Sequence, residues 1–136
     1  MQSVDINYLA VLVSGVFSFI IGSLWYGPLF GKAWMEAVGK TEEDLKKDFN
    51  PAKTYGLAFV AHVVVAFTLA YFISLTGAST TQDGFRIGIT CWFGFSAATM
   101  FINFMFEGYK TKLFFINVGY YLVFFIVATL ILMLWR

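Results

Sequence analysis

Long apolar runs alternate with short polar connections along this chain. The runs are Ile6–Tyr26, Pro51–Leu75, Gly84–Phe106 and Lys112–Trp135. Each has roughly 20 or more residues, and a helix rises about 1.5 Å per residue, so each is long enough to cross a hydrocarbon core of about 30 Å. The pattern predicts an all-α fold, an integral membrane bundle of four transmembrane helices in one domain over residues 1–136.

The hydrophilic segment 27–50, which separates the first two runs, is expected to contain two short helices. From Pro28 to Val38, Phe30 and Trp34 recur at helical spacing while Lys32 falls on another face. That arrangement is typical of a helix that lies in the membrane interface. We therefore expect a short cytoplasmic interfacial helix between the first and second spans.

Two capping signals follow this amphipathic stretch. Thr41 precedes a run of acidic residues, which is the pattern of an N-cap followed by a negatively charged first turn. Asn50 precedes Pro51, and proline is well suited to the first position of a helix. The second span is therefore predicted to begin at Pro51.

Composition supports a membrane environment. The chain is 60% hydrophobic and 12% charged, whereas soluble proteins average about 45–50% apolar and about 25% charged residues. The net charge of +1 gives no indication of a nucleic-acid-binding surface. Because no basic residue precedes the first run, we interpret that run as a retained span and not as a signal peptide.

Basic residues are unevenly distributed between the two ends of the predicted bundle. Arg86 and Arg136 belong to one end. Basic residues in membrane proteins concentrate in cytoplasmic loops, so loops 27–50 and 107–112 are predicted to be cytoplasmic and both termini outside. The basic residues of the other end are Lys32, Lys40, Lys46, Lys47, Lys53, Lys110 and Lys112.

The stretch GSLWYGPLFGKAW, residues 22–34, is either a binding motif or an elbow where a helix leaves the membrane. Trp25 and Tyr26 fall where an aromatic belt is expected, and Pro28 follows a glycine that could end the first helix. Phe30 and Trp34 would then pack onto the lipid. We favour the interface elbow.

Small residues recur every fourth position, a pattern that allows close packing of membrane helices. The first span carries Ser14, Ser18 and Gly22 in such a row. We expect these rows to form helix–helix or subunit contacts. Similar rows in the other spans are Ala58, Ala66 and Ala70, then Gly84 and Gly88, then Gly94 and Ala98.

His62 lies about 16 Å along the second span and therefore near the middle of the bilayer. An ionisable residue at that depth is a candidate for proton handling or ligand contact. The alternative is a neutral imidazole that makes an interhelical hydrogen bond within the surrounding row of small residues. A metal site within one subunit is not expected, because the chain has one histidine and one cysteine, Cys91.

A second group of polar residues is predicted at the cytoplasmic ends of the third and fourth spans. Asn103 and Glu107 are helical neighbours one turn apart, and Asn117 and Tyr120 begin the next helix at matching depth. Buried polar groups in a membrane need partners. They therefore form either an interhelical hydrogen-bond network or, together with His62, a ligand-binding vestibule that faces the cytoplasm.

Catalytic motifs are not evident in the chain. No acid is expected near His62, and the sequence holds no phosphate-binding glycine loop and no HExxH metal motif. We expect neither an enzyme nor a bound cofactor.

The chain resembles a family of small bacterial membrane proteins, domain of unknown function 1761 (DUF1761), over nearly its whole length. The resemblance implies four helices in the bacterial cytoplasmic membrane and implies no particular activity. Its most specific parts are Trp25-Tyr26-x-Pro28, Trp92-x-Gly94-Phe95 and Asn117-x-Gly119-Tyr120. The resembling stretches are NYLAVLVSGVFSFIIGSLWYGPLFGKAW, NPAKTYGLAFV, WFGFSAATMFINFMFEG and LFFINVGYYLV.

Two functional hypotheses follow from the residues. The first is a homo-oligomeric carrier or channel-like protein, in contact with membrane lipids, that binds a small or lipid-like ligand in the vestibule. The second is a structural or accessory membrane protein whose polar groups only hold helices together.

Overall fold

A computed structural model describes residues 3–135, and these residues form helices and connections without a β-strand. One π-helical segment, Trp25–Leu29, ends the first span, and a second, Trp92–Ala97, lies within the third span. The α-helices are α1 (Tyr8–Leu24), α2 (Gly31–Val38), α3 (Glu42–Lys46), α4 (Pro51–Thr76), α5 (Thr81–Cys91), α6 (Ala98–Glu107) and α7 (Thr111–Leu134).

Four helical spans are long and apolar enough to cross a membrane, which confirms the predicted all-α bundle. They contain 22, 26, 27 and 24 residues. The spans differ from the predicted runs by a few residues at their ends, and the first begins at Tyr8 because Asn7 caps it by accepting a hydrogen bond from Ala10 N. The spans are Tyr8–Leu29, Pro51–Thr76, Thr81–Glu107 and Thr111–Leu134.

The predicted caps are present in the connection between the first two spans. Thr41 Oγ1 accepts from Asp44 N, and the Asp44 carboxylate accepts from Thr41 N, which forms a capping box at the start of α3. Asn50 Oδ1 accepts from Lys53 N at the start of α4, where Pro51 takes the first position. Local sequence therefore determines where these helices begin.

The sequence suggested that the first helix ends at Gly27-Pro28, but the structure shows a longer helix. It continues to Leu29 as a π-helical turn, in which Phe30 N donates to Trp25 O over 2.8 Å. Proline lacks an N–H and its ring clashes with the carbonyl four residues earlier, and the wider turn accommodates both defects. The chain bends one residue later, before α2.

The second π-helical segment changes the register of the third span. A π turn inserts about one residue, and each residue turns an α-helix by about 100°. Cys91, which precedes this segment, therefore lies out of register with the stripe that Thr99, Asn103 and Glu107 form on α6.

The core lies around α7, which packs against α1, α4 and α5. Phe124 and Ala128 on α7 and Ala66 on α4 are 0% exposed. Ser14 and Ser18 on α1 are also buried, as the row of small residues predicted. On the third span, the glycines before the π-helical segment, Gly84 and Gly88, pack on α7, with Met133 and Thr129 as the respective neighbours. Gly94 and Ala98 are exposed.

The connection 27–50 and residues 108–110 meet at one end of the bundle, which we call the basic end. Lys112 Nζ lies 3.5 Å from the Glu36 carboxylate, and Lys110 Nζ donates to Glu36 O over 3.4 Å. At the opposite end Asn7 Nδ2 donates to Trp135 O over 3.0 Å. Arg136, which the sequence assigned to that end, lies outside the described residues.

Candidate ligand-binding cavity

A cavity of about 570 Å³ lies between the first, second and fourth spans. Ser23, Gly27, Thr54 and Tyr55 are exposed and lie toward the basic end, so the cavity opens there. His62 and Tyr120 form its deep wall. The remaining lining residues are Ser18, Phe19, Gly22, Tyr26 and Ala58.

The deep wall is built by contacts that join three spans. His62 Nδ1 lies 2.7 Å from Ala58 O, one turn earlier on α4. His62 Nε2 lies 3.0 Å from the hydroxyl oxygen of Tyr120 on α7, and that hydroxyl is 2.9 Å from Ser18 O on α1. His62 is half-buried and Tyr120 is 6% exposed. The structure therefore brings two of the predicted site residues, His62 and Tyr120, into contact.

Aromatic rings surround the imidazole, and one of them, Phe19, also lines the cavity. The centroid of Phe124 is 4.9 Å from that of His62, and the two rings are nearly perpendicular. Tyr121 stacks on the imidazole at 6.5 Å and Phe19 lies at 6.3 Å. The inner end of the cavity thus has polar atoms set in an aromatic wall.

The residues predicted as an interface elbow are partly inserted into the bundle. Tyr26 donates its hydroxyl to Asn117 Oδ1 over 2.7 Å, and Trp25 Nε1 donates to Ile116 O over 2.9 Å. Trp25 also packs on Phe30 at a centroid distance of 4.7 Å. Trp34 is half-buried with its ring against Tyr26, so these side chains tie the first span to α7.

Asn103 and Glu107 do not line this cavity. Both are exposed on α6, which instead places Phe101 and Phe104 against Phe114 of α7. Asn117 is half-buried and bonded to Tyr26, one turn from Tyr120. Of the five residues predicted for the vestibule, His62, Tyr120 and Asn117 thus belong to the cavity or its border, and the α6 pair lies elsewhere.

Just beyond Glu107, Tyr109 occupies the connection between α6 and α7. Its hydroxyl lies 3.5 Å from Met100 O, and its ring packs on Phe104 at 5.2 Å. Desolvation and, to a smaller extent, the negative charge of Glu107 raise the pKa of Tyr109. Tyr109 is therefore neutral at physiological pH.

Sequence reasoning did not identify several of the polar residues that line the cavity. Thr54 lies one turn before Ala58 and two before His62, and Tyr26 lies one turn after Gly22. The same spacing of four that predicted the packing rows therefore extends to these residues. Continuing each row toward the basic end would have indicated that Thr54 and Tyr26 face one another.

A second, more apolar groove of about 440 Å³ lies between α4, the third span and α7. Cys91, Phe95 and Thr99 contribute to it from the third span, and Thr68 from α4. Phe95 is 69% exposed. A lipid chain is the natural neighbour of such a surface in a bilayer.

The chemistry available in the cavity is that of neutral donors and acceptors. Its lining contains hydroxyl groups and one imidazole but no carboxylate, lysine or arginine. Within residues 3–135, no three His, Cys, Asp or Glu side chains are close enough to hold a metal ion. The cavity can hydrogen-bond a polar group and surround an apolar one.

Comparison with known proteins identifies a family but no activity. Residues 9–133 match the family described as "Protein of unknown function (DUF1761)". A UPF0591 membrane protein of Schizosaccharomyces pombe is 31% identical over 101 residues, which cover 71% of this chain and 68% of that protein. No solved structure matches the chain significantly.

The relative comes from a yeast, so the family is not confined to bacteria. Its name gives a membrane location, in agreement with the four spans of this chain. The chain is a membrane protein and belongs to the DUF1761 family, whose function is unknown.

Proposed function

We propose that this protein binds a small or lipid-like amphipathic ligand in the cavity between its first, second and fourth spans, as a carrier or channel-like protein. The observation that supports this most directly is the His62–Tyr120 contact at the inner wall of the cavity. It provides a polar anchoring point well inside an apolar bundle. The ligand's polar group would meet these atoms and the nearby hydroxyls.

The size and lining of the cavity support this proposal. Its volume of about 570 Å³ falls within the range of roughly 300–1,000 Å³ found for small-molecule sites. Phe19 and Tyr55 provide apolar surface, and Ser23 and Thr54 provide hydroxyl groups. An apolar wall with a few polar groups is the usual composition of such sites.

We propose that the basic end faces the cytoplasm and that both termini lie outside, in a bacterial cytoplasmic membrane. The distribution of lysines supports the orientation, because seven lysines lie in or next to the connections at the basic end. The ligand would then enter the cavity from the cytoplasm or from the inner leaflet.

We also propose a homo-oligomer. Four helices in 15.3 kDa leave little room for a route across the membrane, and the cavity opens at the basic end. A transport route would therefore need surfaces from more than one copy. Chemical cross-linking of the full chain in native membranes should yield a defined multimer, and a monomer at every cross-linker concentration would contradict this proposal.

The alternative function is structural. Tyr120 contacts both α1 and α4, and Trp25, Tyr26 and Trp92 bond to the first turns of α7. Such a network would fix the register of the helices without any ligand. Under this alternative, His62→Phe lowers thermal stability in detergent but leaves ligand-probe binding unchanged.

A matched pair of substitutions on α4 tests ligand binding. Ala58 lines the cavity, whereas Ala61 is exposed on the same helix, so Ala58→Leu fills the cavity and Ala61→Leu adds the same bulk outside it. The probe is a long-chain fatty acid with a diazirine, photolysed in liposomes with the full chain. Cross-linked residues are then located by peptide mass spectrometry.

We expect cross-links to Phe19 and Tyr55 in the natural chain and in Ala61→Leu, and a loss of at least several-fold in Ala58→Leu. Both variants should keep their helical circular dichroism. Equal labelling of Ala58→Leu and Ala61→Leu would contradict the cavity as the binding site.

The prediction of a vestibule at Asn103 and Glu107 has a separate test. If the α6 pair binds ligand, Glu107→Gln should reduce probe labelling of α6 without lowering the melting temperature. If labelling persists in Glu107→Gln but is lost in Ala58→Leu, the cavity and not the α6 surface is the site.

A further inference from the structure

His62 and Tyr120 take part in a chain of three close contacts that ends at a backbone carbonyl on each side. The contacts are Ala58 O to His62 Nδ1 at 2.7 Å, His62 Nε2 to Tyr120 Oη at 3.0 Å, and Tyr120 Oη to Ser18 O at 2.9 Å. All have hydrogen-bond lengths, and each needs one hydrogen between its two atoms.

A neutral histidine cannot supply enough hydrogens for this chain. Both terminal carbonyl oxygens only accept, a neutral imidazole has one N–H, and a tyrosine has one O–H. Two hydrogens are thus available for three contacts. If Nδ1 carries the hydrogen, the Tyr120 hydroxyl can donate to His62 Nε2 or to Ser18 O but not to both. If Nε2 carries it, a nitrogen lone pair faces Ala58 O.

Protonated histidine removes this conflict. The imidazolium donates from Nδ1 to Ala58 O and from Nε2 to the Tyr120 oxygen, which leaves the Tyr120 hydroxyl free to donate to Ser18 O. We propose that His62 is a reversible proton-binding site inside the bundle. A proton from water adds to the ring nitrogen that lacks one, no other bond breaks, and the protein gains one positive charge.

Some features around the ring oppose a positive charge on His62 and others favour it. A charge inside the membrane is costly, and no carboxylate lines the cavity to neutralise it. Phe124 lies 4.9 Å from the ring and nearly perpendicular to it. His62 is also only half-buried, at the wall of a cavity that opens to the basic end.

Among the described residues, the other titratable side chains that line the cavity or contact the ring are tyrosines, so no positively charged group faces the imidazole there. The first span contributes Tyr26 beside Ser18 and Phe19, and α4 contributes Tyr55 at the mouth of the cavity. The α7 residues in ring contact with His62 are Tyr120 and Tyr121.

The chain's only histidine makes a direct test possible. Full-length protein labelled with ¹⁵N-histidine in lipid nanodiscs gives ring-nitrogen signals from His62 alone. Spectra recorded from about pH 8 down to about pH 5 should show hydrogens on both ring nitrogens of the natural chain at the acid end, and one of them should be lost reversibly as the pH rises. In Tyr120→Phe the contact with Ala58 O remains, and a neutral ring can satisfy it, so one of the two N–H signals should be largely lost.

Tyr121→Phe is the matched control, because Tyr121 also contacts the ring but lies outside the hydrogen-bonded chain. It should keep both N–H signals. A single N–H in the folded natural chain throughout this pH range would overturn the proposal, as would two N–H signals in a folded Tyr120→Phe at the pH that gives two in the natural chain. The natural chain decides the question even if that variant does not fold. The proton-binding site at His62 does not depend on the proposed ligand. Ligand binding is tested by a separate measurement, the labelling of Ala58→Leu.

Discussion

At the residue scale, the two tryptophans that begin the π-helical segments have the same role. Trp25 Nε1 donates to Ile116 O and Trp92 Nε1 donates to Val118 O, at 2.9 and 3.1 Å. Both carbonyls belong to the first turns of α7. The indole N–H of Trp25 bonds inside the bundle and is therefore not free to bond at the membrane interface. Trp25 thus connects the first span to α7, a role that the aromatic belt did not predict.

Trp25→Phe should destabilise the protein because it removes this donor from a half-buried position. The loss of one hydrogen bond is worth about 0.5–1.5 kcal/mol. Thermal unfolding in detergent should therefore show a lower midpoint. Trp34→Phe is a suitable control, since Trp34 contacts Tyr26 through its ring. A drop in Trp34→Phe as large as that in Trp25→Phe would contradict the role given to the Trp25 bond.

At the element scale, the third span uses its small residues unequally. A Cβ at Gly88 would collide with Thr129 of α7, whereas a Cβ at Gly94 would meet nothing within 4 Å. The π-helical segment separates the two halves of the span. Only the half before it packs closely on α7 through its glycines.

Gly88→Ala should therefore weaken the packing of α5 on α7, by about 1–3 kcal/mol as is usual for overpacked sites. Gly94→Ala makes the same change in the same span and should leave the unfolding midpoint nearly unchanged or slightly raised. Thermal melts of both variants in one detergent provide the comparison. If Gly94→Ala were the more destabilised variant, the inferred packing would be wrong.

The sequence predicts the spans and caps well because they depend on local information. Runs of apolar residues, the capping box at Thr41 and the Asn50-Pro51 start of α4 are each readable within a few positions. The π-helical segments were not predicted: the first has a local signal in Pro28, but the bonds of Trp25 and Trp92 to α7 are distant in sequence. For the same reason His62 and Tyr120, which are 58 positions apart, were predicted as site residues without being predicted to touch.

At the scale of the whole molecule, the connections that carry lysines lie together at the basic end. The Glu36–Lys112 ion pair is exposed at both side chains and contributes little to stability. In the proposed orientation, these charges favour the cytoplasmic side of the membrane.

Orientation can be measured with a cysteine placed at Lys46, in a Cys91→Ser background. If the basic end is cytoplasmic, Lys46→Cys should resist membrane-impermeant thiol reagents in intact cells and react after lysis. A cysteine at Ser79, in the connection at the opposite end, should react in intact cells. Reversed labelling of the two positions would overturn the proposed orientation.

We propose above that the cavity between the first, second and fourth spans holds an amphipathic ligand. Native mass spectrometry of the full chain, released from its own membrane in mild detergent, tests it most directly. We predict one bound amphiphile of defined mass per subunit in the natural chain and in Ala61→Leu, and its loss in Ala58→Leu. A natural chain without any bound amphiphile, or one retained equally by Ala58→Leu, would contradict the claim.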